Sequence, residues 1–185
     1  MADSTAENKT KALLANGDKN LVVTDNTKND VSTTAHGFCP KAPNDASQTL
    51  LGTGVWGNLG WTTPAFNAAD FTASGSMTWT VEAGDVMTYQ YMIIGKTMWV
   101  NFRLYTTVVG GTPSANLLIK IPSGKVTQGT AEHGGVFLLD NAAYAPCRAI
   151  SQGTYIYITR SDGANFTASP TGSTYVAGQI FFEIQ

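Results

Sequence analysis

Between Trp99 and Tyr105 the chain alternates in chemistry as well as in position, with Trp99, Asn101, Arg103 and Tyr105 separated by Val100, Phe102 and Leu104. Alternate residues of an extended chain share one face. A ring, an amide, a guanidinium and a phenol would therefore stand in a row, with Met98, Val100, Phe102 and Leu104 turned into a core. Tyr155 and Tyr157 repeat the spacing on a second stretch, and Asp162 and Asn165 follow in the next turn. Rings beside planar polar groups suit a saccharide, stacking on its C–H faces while amide and guanidinium order its hydroxyls. The same residue types are enriched where protomers meet, which is the first reading of this face. Packing under a second sheet is the third.

Catalytic constellations are weaker. A glycosidase needs two carboxylates facing across a cleft by ~5–10 Å. Of Asp70, Glu82, Asp85, Glu132, Asp140, Asp162 and Glu183, all but Glu183 fall in or beside expected turns, where acids are ordinary. The chain has no Gly-x-Ser-x-Gly elbow, phosphate-cradling loop or dinucleotide fingerprint. Neither His36 nor His133 has a cysteine or carboxylate at metal-ligand spacing. Asp25, Asn29 and Asp30 lack the alternate oxygens and glycine of a calcium loop and read as a solvated turn. The expectation is a protein that is not an enzyme and carries no cofactor.

Composition agrees. Only 13% of the 185 residues are charged against 43% hydrophobic, with 19 glycines, which is the balance of an all-β domain with many turns. A net charge of -2 and no clustering of Lys and Arg disfavour nucleic acid. No window approaches the ~20 apolar residues of a membrane helix, and the first ten residues lack the apolar region of a signal peptide, so neither insertion nor signal-driven secretion is expected. Cys39 and Cys147 lie far apart and are expected to be unpaired thiols.

Three segments position these groups. Residues 1–30 read as a neck: Ser4 and Glu7 have capping-box spacing for a helix over 5–16, and Leu21 to Thr24 form a short β-prone run. The helix has few apolar residues and the strand is too short to stand alone, so both need partners, most simply their own copies. Residues 31–75 read as a connector, where Gly37, Pro40, Pro43, Gly52 and Gly54 exclude a regular helix or long strand. Its later part is an extended lead-in with aromatics Trp61, Phe66 and Phe71. Residues 76–185 read as one domain of about eight strands: Met77, Trp79 and Val81 alternate, followed by runs at 86–94, 98–105, 116–121, 135–140, 145–151, 155–160 and 174–184. Val109 to Ser114 reads as a loop. The expected fold is an all-β, antiparallel, jelly-roll-like β-sandwich tip with a short N-terminal helix and neck and an extended connector.

One resemblance sharpens this. Ser32-Thr33-Thr34, His36-Gly37-Phe38, Pro40-Lys41-Ala42-Pro43-Asn44-Asp45, and Leu51, Gly52, Gly54 and Trp56 resemble a segment of bacteriophage tail-fibre and receptor-binding proteins, where it joins a thin trimeric shaft to a globular tip. This chain departs from the pattern at Cys39, Thr53 and Val55. The runs Ile94 to Leu104 and Asn116 to Pro122 resemble such tips more loosely. The resemblance implies a homotrimeric adhesin on the virion surface, made in the host cytoplasm, whose partners are its own copies, other virion proteins and a host-surface glycan or protein. It would act through multivalency. On a threefold axis His36 and its copies would be a candidate site for a metal or anion; the default is a hydrogen-bonded connector histidine. The alternatives are a structural head-fibre or decoration module, and a jelly-roll glycan depolymerase.

Overall fold

A computed structural model describes residues 48–50, 56–58 and 60–185 of the chain. The helix expected over 5–16, the run at 21–24, His36 and Cys39 lie outside them. The chain divides into two units, the second running from Leu59 to Gln185. In the first, β1 (Gln48–Leu50) pairs antiparallel with β2 (Trp56–Asn58), Leu50 opposite Trp56. Both strands are three residues long, as the glycines between them allow.

The second unit holds eleven strands. They are β3 (Phe71–Ala73), β4 (Met77–Thr80), β5 (Val86–Ile94), β6 (Thr97–Gly111), β7 (Asn116–Lys120) and β8 (Ala131–His133). After these come β9 (Val136–Asp140), β10 (Ala143–Tyr144), β11 (Cys147–Gln152), β12 (Tyr155–Arg160) and β13 (Ser169–Glu183). Sheet one runs β10-β9-β13-β6, and β4 and β5 lie along the other edge of β6; sheet two runs β3-β7-β12-β11-β8. Every pairing is antiparallel. The two sheets pack face to face as an all-β sandwich.

The pairing is nested: β6 with β13, β7 with β12, β8 with β11, β9 with β10. One long antiparallel ribbon is folded on itself, which is the jelly-roll-like property of the fold. Its β6/β13 and β9/β10 stretches lie in sheet one, its β7/β12 and β8/β11 stretches in sheet two.

The core follows from period-two alternation. Met98, Val100, Phe102 and Leu104 of β6 are fully buried, as are Leu117 and Ile119 of β7 and Ile156 and Ile158 of β12. Each such side chain contributes ~1.5–3 kcal/mol relative to exposure. Phe71 joins them, its ring 5.8 Å from Trp79 and 5.5 Å from Tyr89 in edge arrangements. The sandwich therefore already includes β3, within the expected lead-in. Tyr89 crosses between the sheets to donate a hydrogen bond to the Lys120 carbonyl at 2.6 Å, and burial with the nearby Asp70 charge holds its phenol protonated well above the usual range.

Buried polar groups are relayed. Trp79 Nε1 donates to Thr107 Oγ1 at 2.9 Å, and Thr107 donates to the Thr174 carbonyl at 2.9 Å. Thr107 faces inward because β6 changes phase. Tyr105 and Thr106 are both exposed, Thr106 has φ 59°, and beyond it the odd residues Thr107 and Val109 are the buried ones. One extra residue has inverted the alternation, which is the action of a β-bulge. The strand then continues through Gly110 and Gly111, expected as a loop, and pairs with β4. Gly111 has φ +69°, and a Cβ there would collide with the Ser76 carbonyl, so glycine is required.

The β9–β10 hairpin turns on Asn141 and Ala142, at φ 50° and 63°. Two left-handed central residues make a type I′ turn, which normally recruits glycine. Alanine there is strained by roughly 1–2 kcal/mol. Replacing Ala142 by Gly is expected to raise stability by about 0.5 kcal/mol, because glycine's greater unfolded-state freedom offsets part of the relief. Chemical denaturation checks the sign.

Candidate functional site

The alternate residues of β6 that avoid the core define the outer face of sheet one, and strand register places their neighbours in rows. Trp99 stands between Met92 and Phe181, Asn101 between Gln90 and Gln179, and Arg103 between Thr88 and Ala177, with Phe137 beyond. Tyr175, Leu139 and Tyr144 complete the next row. An aromatic row, a row of three amides and a second aromatic cluster thus cross the sheet.

The rings contact one another. Trp99 and Phe181 lie 4.8 Å apart, Tyr105 and Tyr175 5.2 Å, Phe137 and Tyr175 5.3 Å, and Phe137 and Tyr144 5.8 Å. Arg103 Nε donates to the Tyr175 hydroxyl at 3.0 Å, which ties the guanidinium to the tyrosine, its carbon 5.9 Å from the ring centroid. Despite these contacts Phe181 is 55% exposed, Tyr105 50%, Phe137 39% and Tyr144 71%. Scattered apolar residues on a surface are ordinary, but Tyr105, Tyr175, Phe137 and Tyr144 form a contiguous cluster, with the Trp99 and Phe181 pair across the amide row, and such a patch marks a place where something binds.

The candidate residues do not form one site. Trp99, Asn101, Arg103 and Tyr105 share the outer face of sheet one as expected from their spacing. Tyr155 and Tyr157 belong to β12 and lie on the opposite outer face, that of sheet two, with ring centroids 6.4 Å apart. Their neighbours across the strands are Gln152, Ile150, Lys120 and Leu118. Asn165 is exposed in the loop after β12.

Asp162 is occupied by a structural duty. Its carboxylate accepts from Arg160 Nε at 3.1 Å and Nη2 at 2.6 Å, and from the Ala164 amide at 3.1 Å. Those Arg160 bonds, with the amide bond adding, hold its pKa at about 2. Arg160 also donates through Nη1 to Asp140 at 2.5 Å. Asp140 further accepts from the Thr167 amide and hydroxyl at 3.0 Å. One arginine between two acids pins the 161–168 loop to the hairpin.

Other titratable groups are similarly placed. His133 Nε2 lies 3.0 Å from Ser151 Oγ, and partial burial lowers its pKa. Ser151 is fully buried while His133 is half-buried, so the serine hydroxyl is closed to solvent. Cys147 is a free thiol bonded to the Val136 carbonyl at 3.1 Å, its pKa raised by burial. Among the described residues no group of three or more His, Cys, Asp or Glu is arranged to hold a metal, and no helix is long and apolar enough to cross a membrane.

Sequence reasoning missed Phe181, Phe137, Tyr144 and Tyr175, which complete the face. The signal for Tyr175 and Phe181 was present as alternation in 174–184 and Phe137 lay in the run at 135–140, but only the pairings of β13 with β6 and β9, and of β9 with β10, put these residues and Tyr144 on the face of Trp99 and Arg103. No family model, curated protein or solved structure matches the chain.

Proposed function

We propose that this chain is a viral, bacteriophage-type fibre or receptor-binding protein, a homotrimer whose β-sandwich tip adheres to a host-surface glycan or protein. The observation that carries the reading is the exposed aromatic face of sheet one. A ring cluster with an ordered arginine and few charges has the composition of a buried interface core, and a second copy of the same chain is always at hand to cover it. The number three and the virion setting rest on the connector residues Ser32 to Trp56 and their resemblance to fibre segments. Threefold display would compensate for weak individual contacts.

Light scattering on a sizing column tests the assembly. The full chain is expected at about three times 19.6 kDa. Phe181→Asp, which puts a charge into the exposed aromatic row beside Trp99, is expected to lower that mass while the domain stays folded by circular dichroism. A monomer at micromolar concentration would overturn the trimer. Adhesion of labelled full chain to bacterial envelopes tests the receptor-binding part, and failure across a broad panel would favour a purely structural virion module.

A further inference from the structure

The outer face of sheet one has a second half, beyond the point where β6 and β13 both bulge. Thr106 has φ 59° and Gly172 φ +67°, and a Cβ at Gly172 would come within 2.6 Å of the Thr106 carbonyl, so the two backbones touch. On one side of this contact lie the aromatic rows. On the other lies a depression of about 370 Å³ walled by Thr80, Glu82, Asp85, Thr106, Pro170 and Thr171, with Val108 in its lining. That volume is at the lower end of small-ligand sites.

Its chemistry differs from that of the rings. Three threonine hydroxyls and two carboxylates surround a small apolar patch from Val108 and Pro170. Among the described residues neither Glu82 nor Asp85 is in a salt bridge. Asp85 is held in place: Oδ2 accepts from the Glu82 amide at 2.9 Å, and the Thr106 hydroxyl lies 2.8 Å from Oδ1 and 2.6 Å from the Tyr105 carbonyl. One hydroxyl proton can serve only one of those acceptors at a time. A β-branched residue is a poor occupant of the left-handed region, and such strain persists where the surroundings over-determine it.

We propose that this depression binds a neutral saccharide. A pyranose offers vicinal hydroxyls, which donate to fixed carboxylates and exchange bonds with threonines, and a C–H face for Val108 and Pro170. Two carboxylates with no ion-pair partner among the described residues repel uronates and sialates, so the ligand is uncharged. The inference deepens the adhesive reading, on which its biological meaning rests, by naming the receptor class and placing its site away from the aromatic rows.

The test is an amide NMR titration of the isotope-labelled full chain with the methyl glycosides of glucose, galactose, mannose and N-acetylglucosamine, and separately with galacturonate. At least one neutral glycoside is expected to shift the amides of Thr80, Glu82, Asp85, Thr106 and Gly172 saturably, and galacturonate to shift none. Glu82→Gln is expected to weaken that binding about tenfold, since a hydrogen bond to a charge is lost. Thr106→Gly, which relieves strain and so preserves the fold, is expected to weaken it by a similar factor. No saturable shifts with any neutral glycoside, or shifts confined to the aromatic rows, would overturn the proposal. If the chain adheres to envelopes without such shifts, this site is wrong and the adhesive reading stands; if the shifts occur without adhesion, the reverse holds.

Discussion

Asp140→Ala is expected to destabilise the sandwich by about 3 kcal/mol, the cost of breaking a buried ion pair from one side. The Asp140 side chain is 1% exposed and that of Arg160 18%, so the pair sits at the border of the interior. Alanine would leave Arg160 Nη1 and the Thr167 amide and hydroxyl without their acceptor at once. Asp162 would still hold the other edge of the guanidinium, which limits the damage. A loss of that size lowers the melting temperature of a domain this long by roughly 10 °C. Asp140→Asn keeps an acceptor and should recover part of it. A melting temperature unchanged by Asp140→Ala would show that water replaces the carboxylate and that the network does not pin the loop.

Gly178→Val is expected to cost about 2–3 kcal/mol through overpacking. Gly178 sits in β13 opposite Phe102 on one side and Val136 on the other. A Cβ there would lie 3.1 Å from the Phe102 ring tip and 3.3 Å from a Val136 methyl, before valine's own methyls are added. The missing side chain is the space into which the Phe102 ring is laid. Phe102→Leu should therefore be less harmful in the Gly178→Val background than alone, and denaturation of the four proteins in a double-mutant cycle measures that coupling. Strictly additive losses would mean the ring does not use the space.

Glycine inside a strand is also where the sequence is least readable. Val109-Gly110-Gly111 has the look of a loop, because the two glycines remove the side chains from which a period is read. Their reason for being glycine is tertiary: β4 approaches so closely that Thr78 Oγ1 and the Ser76 carbonyl occupy the room a Cβ would need. Asn141-Ala142 hid a hairpin for the opposite reason, since alanine is not the residue its left-handed turn prefers. By contrast Tyr155–Arg160 is a strand with the bounds its alternation suggests, and Met98 to Leu104 faces the core as its pattern requires.

The candidate site was legible only along single strands. Trp99, Asn101, Arg103 and Tyr105 share a face because period two is local. Whether Tyr155 and Tyr157 join them depends on which sheet β12 enters, and no residue spacing carries that information. The pocket beside Thr106 was less legible still, since it arises from two bulges on different strands meeting each other.

The nested ribbon has a consequence for biosynthesis. The central strand β6 finds its longest partner only in β13, the last strand of the fold, so Thr97 waits for Glu183. While the ribosome is still adding the intervening strands, Met98, Val100, Phe102 and Leu104 have no opposite edge to close against. Pairings so distant along the chain slow folding and prolong the exposure of unpaired edges. A growing chain of this kind cannot close its central sheet until β13 has left the ribosome, and copies made side by side on one message would meet while their aromatic strands were still unpaired.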